Sequence, residues 1–283
     1  MAKCAESGTN GMIDATFFLT GIGLEPNQKF SDMARQTGII KLRGKIGDLS
    51  FYRSNGEDLA RTKGGVDASR IQNDPAFERT RENGAEFGAA GRAGKLLRTA
   101  LRSLLLNTAD KRITGRITRE MLKAIQADTV NARGQRNMLA GDATILRGFN
   151  FNNKARIGST VFFGWTATVD RVAGEATLAI DAMVPNQAIA IPSGATHARM
   201  VTGSAEIDFD AQSFVSDSAA SADIALGSQN EAAQNIVLNF TAASVLPVFV
   251  VFGVEFYQEV NGQMYSLKNG AYNALALVEV DQV

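Results

Sequence analysis

The run Gly88-Ala-Ala-Gly-Arg-Ala-Gly94-Lys95 is the part of this sequence that comes nearest to a phosphate-binding loop. Such a loop needs Gly, four residues, Gly-Lys and then Ser or Thr, so that backbone N–H groups wrap the phosphates and the hydroxyl holds magnesium. Counting back from Gly94, the first required glycine falls on Ala89, and Leu96 follows Lys95 where a hydroxyl is needed. No strand runs into the segment, so the motif is rejected.

Carboxylates are the next groups able to do chemistry. Glu206, Asp208 and Asp210 alternate with Ile207 and Phe209, which predicts one strand face carrying three acids. Oxygen ligands suit Ca²⁺, but a calcium cage wraps its ion with a loop, and alternate strand positions usually form the wet side of a sheet. The same acids could meet the cationic run Lys41, Arg43, Lys45 of a second copy, and that reading is preferred. Asp170, Glu175 and Asp181 offer carboxyls for a glycosidase pair, with Trp165 and Tyr257 as a sugar-stacking platform. A lone tryptophan in a sandwich is more often core. No Gly-x-Ser-x-Gly elbow occurs. His197 is the single histidine and Cys4 the single cysteine, which argues against histidine triads and His- or Cys-rich zinc sites. His197 reads as a partly buried strand residue. No catalytic, cofactor-binding or metal-binding residue is assigned, and a non-enzymatic role is expected.

The positioning elements start with Pro75–Leu106. Asp74-Pro75 is a helix start, with an N-cap acceptor followed by a proline suited to the first turn. Phe77, Leu97, Ala100, Leu101, Leu104 and Leu105 make an apolar stripe, and Arg92, Lys95, Arg98 and Arg102 a basic one. Gly84, Gly88, Gly91 and Gly94 interrupt it, each costing about 1 kcal/mol relative to alanine. They predict either a break or a flat face packed closely by another backbone. A second helix is expected over 114–130, with Ile117, Met121 and Ile125 on one side and Arg116, Arg119 and Lys123 mostly on another.

Ahead of the helices, residues 38–63 read as a β-meander. Ile40, Leu42 and Ile46 alternate with Lys41, Arg43 and Lys45 in a first strand over 39–46, and Asn55-Gly56 marks a hairpin. Such a sheet is too small to stand alone. Residues 131–141 read as a polar linker. Beyond them, strands are expected at 143–151, 155–163, 164–170, 175–182, 197–203, 205–211, 222–226, 235–241, 247–258, 263–267 and 273–280. The apolar run within 247–254 is expected to be the central strand, and Ser213–Ser221 a loop. The fold class expected is α+β: a small β-meander with two helices, followed by an antiparallel β-sandwich of jelly-roll or Ig-like type. The domains expected are a leader or over-extended start at 1–32, a basic region at 33–141 and an acidic sandwich at 142–283.

The run MARQTGIIKLRGKIGDLSFYRSNGEDLARTKGG, continuing through PAFERTRENGAEFGAAGRAGKLLRTALRSLL, resembles the opening of an uncharacterised protein family common in Bacteroidetes genomes. The resemblance is most specific over residues 33–106. It implies Met33 as the natural start and implies no activity.

The net charge is zero, yet residues 34–156 hold 24 Lys+Arg against 12 Asp+Glu, while residues 157–283 hold 3 against 13. A net of +12 faces a net of −10. The basic half suits a polyanion, and basic against acidic surfaces suit head-to-tail association. No run approaches 18 apolar residues and no secretory signal is read, so a cytoplasmic or particle-associated protein is expected. The leading expectation is a self-associating structural subunit, possessing no cofactor and joined to copies of itself in a particle or filament, phage-like in kind. The alternatives are non-specific nucleic-acid binding through Lys41, Arg43, Lys45, Arg92, Lys95, Arg98 and Arg102, and a carbohydrate-binding sandwich.

Overall fold

The computed structural model describes residues 33–62, 65–108 and 110–283. The expected leader, 1–32, lies outside them. The class is α+β, as expected: a small N-terminal antiparallel sheet, a set of helices and a C-terminal antiparallel sandwich. Two compact units divide at Ala68/Ser69.

The first unit is a four-stranded meander of β1 (Met33–Arg35), β2 (Gly44–Ile46), β3 (Leu49–Ser54) and β4 (Glu57–Thr62), in the order β1-β4-β3-β2. Asn55 and Gly56 turn the β3–β4 hairpin at φ 51° and 86°, as the Asn-Gly pair predicts. The first expected strand is shorter than 39–46. Gly44 sits at φ 115°, which interrupts an extended run, and only residues 44–46 pair with β3. The preceding loop is tied by Gln36, whose amide N–H donates to the carbonyls of Leu42 and Leu59 and whose oxygen accepts from Leu42 N–H.

The second unit opens with α1 (Ala68–Asn73) and a 3-10 turn at Pro75–Phe77, where the Asp74 carboxylate accepts from Ala76 N–H at 3.0 Å. Next come α2 (Glu78–Ala100), α3 (Arg102–Leu105) and α4 (Ile113–Gln126). The helix expected as one piece over 75–106 therefore breaks at Leu101, where ψ is 18°. Ala90, Ala93, Leu97, Leu101 and Leu104 are buried at helical spacing and pack with Ile117, Met121 and Ile125 of α4. The glycine face divides in function. A Cβ on Gly94 would lie 3.2 Å from Ile117 Cγ2, so α4 needs that glycine for close approach, whereas Gly84 and Gly91 face open space. Gly91→Ala is thus expected to stabilise the chain by about 0.5–1 kcal/mol. A thermal melt checks it, and a lowered Tm would show the face to be occupied.

The strands that follow are β5 (Trp165–Asp170), β6 (Glu175–Ile180), β7 (His197–Asp208), β8 (Ser213–Ala220), β9 (Ile224–Ala225), β10 (Gln234–Asn239), β11 (Val248–Val260), β12 (Gln263–Ser266) and β13 (Ala274–Asp281). β10, β6 and β5 form one antiparallel sheet. In the other, β11 is central: it pairs with β7 on one side and with β13 and β12 on the other, while β8 and β9 share the far edge of β7. Phe252, Val254 and Phe256 of β11 pack with Leu178 and Ile180 of β6, which closes the sandwich. Phe249 and Val251 point the other way, into the core shared with α2 and α4. β11 and the middle of β7 are buried on both faces, which is why 248–254 reads as an unbroken apolar run.

Several expected elements are corrected. Residues 143–151 hold a 3-10 turn at Ala143–Leu146, capped by Asp142, and residues 157–160 form a short helix. The two strands expected at 197–203 and 205–211 are one strand, and the loop expected at 213–221 is β8. Residues 131–141 do not link domains. Asp128 accepts from the N–H groups of Val130, Asn131 and Asn137, Glu86 accepts from Gly134 N–H, and a Cβ on Gly141 would meet the Ala124 carbonyl at 2.3 Å. That stretch is packed onto the helices, and the helices share one core with the sheet, so the division falls at 68/69 instead of 141/142. No helix among the described residues is long and apolar enough to cross a membrane.

Candidate functional site

The N-terminal meander carries the first set of expected contact residues. Lys41, Arg43 and Lys45 are all exposed, although Lys41 and Arg43 lie in the loop before β2, and only Lys45 is on a strand. The Lys41 ammonium donates to the Gln36 carbonyl. Beside these cations stand Ile39, Ile40, Leu42, Ile46 and Leu49, all exposed, with Ile39 fully so. Among the described residues of this unit none is buried. A sheet is stabilised by covering one face, and here neither face is covered by the unit's own residues.

The second set runs along α2. Arg92, Lys95 and Arg102 are exposed, while the Arg98 Nε turns back to the Gly94 carbonyl at 3.1 Å. Next to the open glycines lies a cavity of about 450 Å³, with Gly84, Gly88, Arg92, Arg136, Phe209 and Asp210 in its wall. The fold brings Arg92, from the expected basic set, and Asp210, from the expected acidic face, to the same cavity of one chain. Glu86 behind this wall is buried, accepts from Gly134 N–H at 3.0 Å and stands 3.9 Å from Arg136. Glu86 stands four and seven residues before the buried Ala90 and Ala93, so it falls on the packed stripe, whereas Glu78 is exposed and Glu82 half-buried.

The acidic face is corrected. Glu206 is only 4% exposed, because β7 turns its even-numbered side chains into the sandwich. Its carboxylate accepts from Thr241 N–H at 2.9 Å and from the Ser244 hydroxyl at 2.5 Å. Burial pushes its pKa up, but these bonds and the Arg171 charge outweigh that and hold it below the ordinary value. Asp208 ends the strand and accepts from Asp210 and Ala211 N–H, and Asp210 sits exposed in the turn. Glu206 and Asp208 share one face of β7 but differ in burial, and Asp210 lies beyond the strand, so the three carboxylates do not form a common exposed face. The exposed acids of the sandwich lie elsewhere, at Glu175, Asp181 and Glu259 among others.

The remaining candidates are also placed. Asp170 and Glu175 are cross-strand partners at the β5–β6 turn, and Asp170 accepts from Val172 and Ala173 N–H. Asp181 lies beyond the opposite end of β6. Trp165 packs on Phe252 with ring centroids 5.3 Å apart, on the sandwich side of β11. Tyr257 is an odd number of residues from Phe252 and so projects from the other face. Its hydroxyl donates to Glu255, and the Arg199 guanidinium lies over its ring. Burial and then the Glu255 bond push the Tyr257 hydroxyl up to about 12. The two aromatics form no common platform. His197 is half-buried on β7, with Nδ1 3.0 Å from Thr196 Oγ1 and Nε2 3.8 Å from Glu259.

Comparison with protein-family models, curated proteins and solved structures finds no match to this chain. The functional reading rests on the surfaces above.

Proposed function

We propose that this chain is a non-enzymatic structural subunit that self-associates head to tail, in a ring, filament or phage-like particle. The supporting observation is the N-terminal meander, which has no buried residue among those described and exposes five large aliphatic side chains beside Lys41, Arg43 and Lys45. A sheet of that kind gains its missing cover from a partner. The partner argued for is a second copy, on charge: the meander and helices are basic, while residues 157–283 carry a net of −10 with exposed carboxylates such as Glu175, Asp181 and Glu259. Because donor and acceptor surfaces differ, the contact is heterologous and propagates from copy to copy.

Light scattering coupled to size-exclusion chromatography on the full chain, with nucleic acid removed, tests this. Multi-subunit species are expected at about 0.1 M salt, where charges act over about 10 Å, and smaller ones at about 1 M, where they act over about 3 Å. The triple variant K41E/R43E/K45E is expected to be monomeric at both. A monomeric parent at both salts would overturn the proposal. Salt-sensitive binding of an added oligonucleotide by that monomer would favour the polyanion reading instead.

A further inference from the structure

A second cationic surface lies on the second unit. Arg116 and Arg119 on α4, with Arg147 and Arg156 on the segment that follows the helices, wall a pocket of about 310 Å³ together with Asn150 and Asn153. Arginine is the side chain suited to oxyanions, because its planar fork offers paired donors and stays charged.

The four arginines are held differently. Arg116 is fixed: its guanidinium donates to the carbonyls of Asn150 and Phe151, each at 2.7 Å, and to the Asp110 carboxylate. It lies over the Phe149 ring, 4.9 Å from the centroid. Its Nε is buried and has no hydrogen-bond partner. Arg156 donates to the Asn153 side-chain oxygen at 3.0 Å. Arg119 pairs with Glu120, which also holds Lys123, and Arg147 pairs with Glu279. The Arg119 and Arg147 side chains are more than half exposed. Exposed pairs of this kind contribute little and exchange partners readily.

Counting every charge in this set, Arg116, Arg119, Lys123, Arg147 and Arg156 stand against Asp110, Glu120 and Glu279. The set thus carries two positive charges in excess, with one guanidinium fixed in the pocket wall and the more exposed heads of Arg119 and Arg147 free to swing inward. We propose that this pocket binds a phosphate dianion, as free phosphate or as a phosphate monoester. The charge balance matches a group with two negative charges. A phosphodiester, with one charge per group, fits it less well.

The test is calorimetric titration of the full chain with inorganic phosphate at pH 8 and low chloride. Saturable binding of one phosphate per chain is expected. R147Q/R156Q is expected to weaken it at least about tenfold, since each lost bond is charge-assisted. Both positions are at the surface, so the variant should keep the parent's melting curve. R43Q, on the separate N-terminal unit, is the control and should bind like the parent. Absence of saturation, equal weakening by R43Q, or binding unchanged in R147Q/R156Q would each overturn the proposal. So would a single-stranded oligonucleotide binding at this pocket in preference to phosphate.

Discussion

Replacing Gly253 by alanine is expected to destabilise the sandwich by about 3 kcal/mol or more. Gly253 lies on β11, opposite Val201 on one neighbour and Leu275 on the other. A Cβ there would stand 2.4 Å from the Ala274 carbonyl oxygen and 2.9 Å from a Leu275 methyl. The oxygen belongs to backbone, at the first residue of β13 and opposite Val254, so unlike the Leu275 methyl it cannot swing away. The only relief is to push β13 off β11. That strand carries Leu275, Leu277 and Val280 into the core shared with the helices, so the damage spreads beyond one contact. Thermal melting with calorimetry gives the answer. A drop of about 6 °C or more is expected for a chain of this size. A Tm within about 2 °C of the parent would mean that β13 does not approach β11 this closely. The contrast with Gly91→Ala, predicted to stabilise, makes the sign informative, because the two substitutions are chemically identical.

These two glycines also show what a sequence does and does not disclose. Both interrupt good local structure, and nothing in composition says which one is crowded. Crowding is decided by a neighbour many residues away. The same division runs through the strands. Val248–Val254 was legible because a strand buried on both faces has to be apolar at every position. The Asn55-Gly56 hairpin was legible because few residue pairs accept positive φ at two successive positions. β8 was not legible. Its Ser, Ala and Asp residues are mostly exposed, and it is a strand because β7 offers it an edge. Residues 143–163 misled in the opposite sense. Leu146 and Phe151 are apolar because each plugs the core singly from irregular backbone, anchored by Gly148 and Phe151 N–H donating to β13 carbonyls.

The surfaces follow the same logic. Lys41, Arg43 and Lys45 were legible because the segment is exposed and the charges are local. The arginine pocket was not, since Arg116 and Arg119 are about thirty to forty residues from Arg147 and Arg156, and only the fold brings them together. Glu206 is the sharpest case. Period-two alternation correctly places Glu206 and Asp208 on one face of a strand, but alternation cannot say which face is wet.

That position gives the second large effect. Glu206→Ala is expected to cost about 1–3 kcal/mol, because the exposed Thr241 N–H and the half-buried Ser244 hydroxyl lose their charged acceptor and a buried side chain is truncated. The loop it holds is already constrained. Ala243 sits at φ 55°, unusual for a residue with a side chain, and Arg171 fixes the same loop through the Ser244 and Leu246 carbonyls while bonding Asp281. Glu206→Gln keeps the shape but offers one acceptor oxygen to two donors, so an intermediate loss is expected. The pH dependence separates charge from packing. The folded pKa of Glu206 lies below its ordinary 4.5, so its ionised form contributes stability above about pH 4.5, and that contribution is lost as pH falls through the folded value. Asp110, Glu120, Asp128 and Asp217 are also held low, so the parent's own acid curve mixes several groups. The gap in stability between parent and Glu206→Gln isolates one of them. It should be widest at neutral pH and close as pH falls below 4.5, since a protonated Glu206 and a glutamine then offer similar bonds. A gap that stays constant from pH 7 to pH 3 in denaturant titrations would show that the carboxylate's charge plays no part in holding the loop.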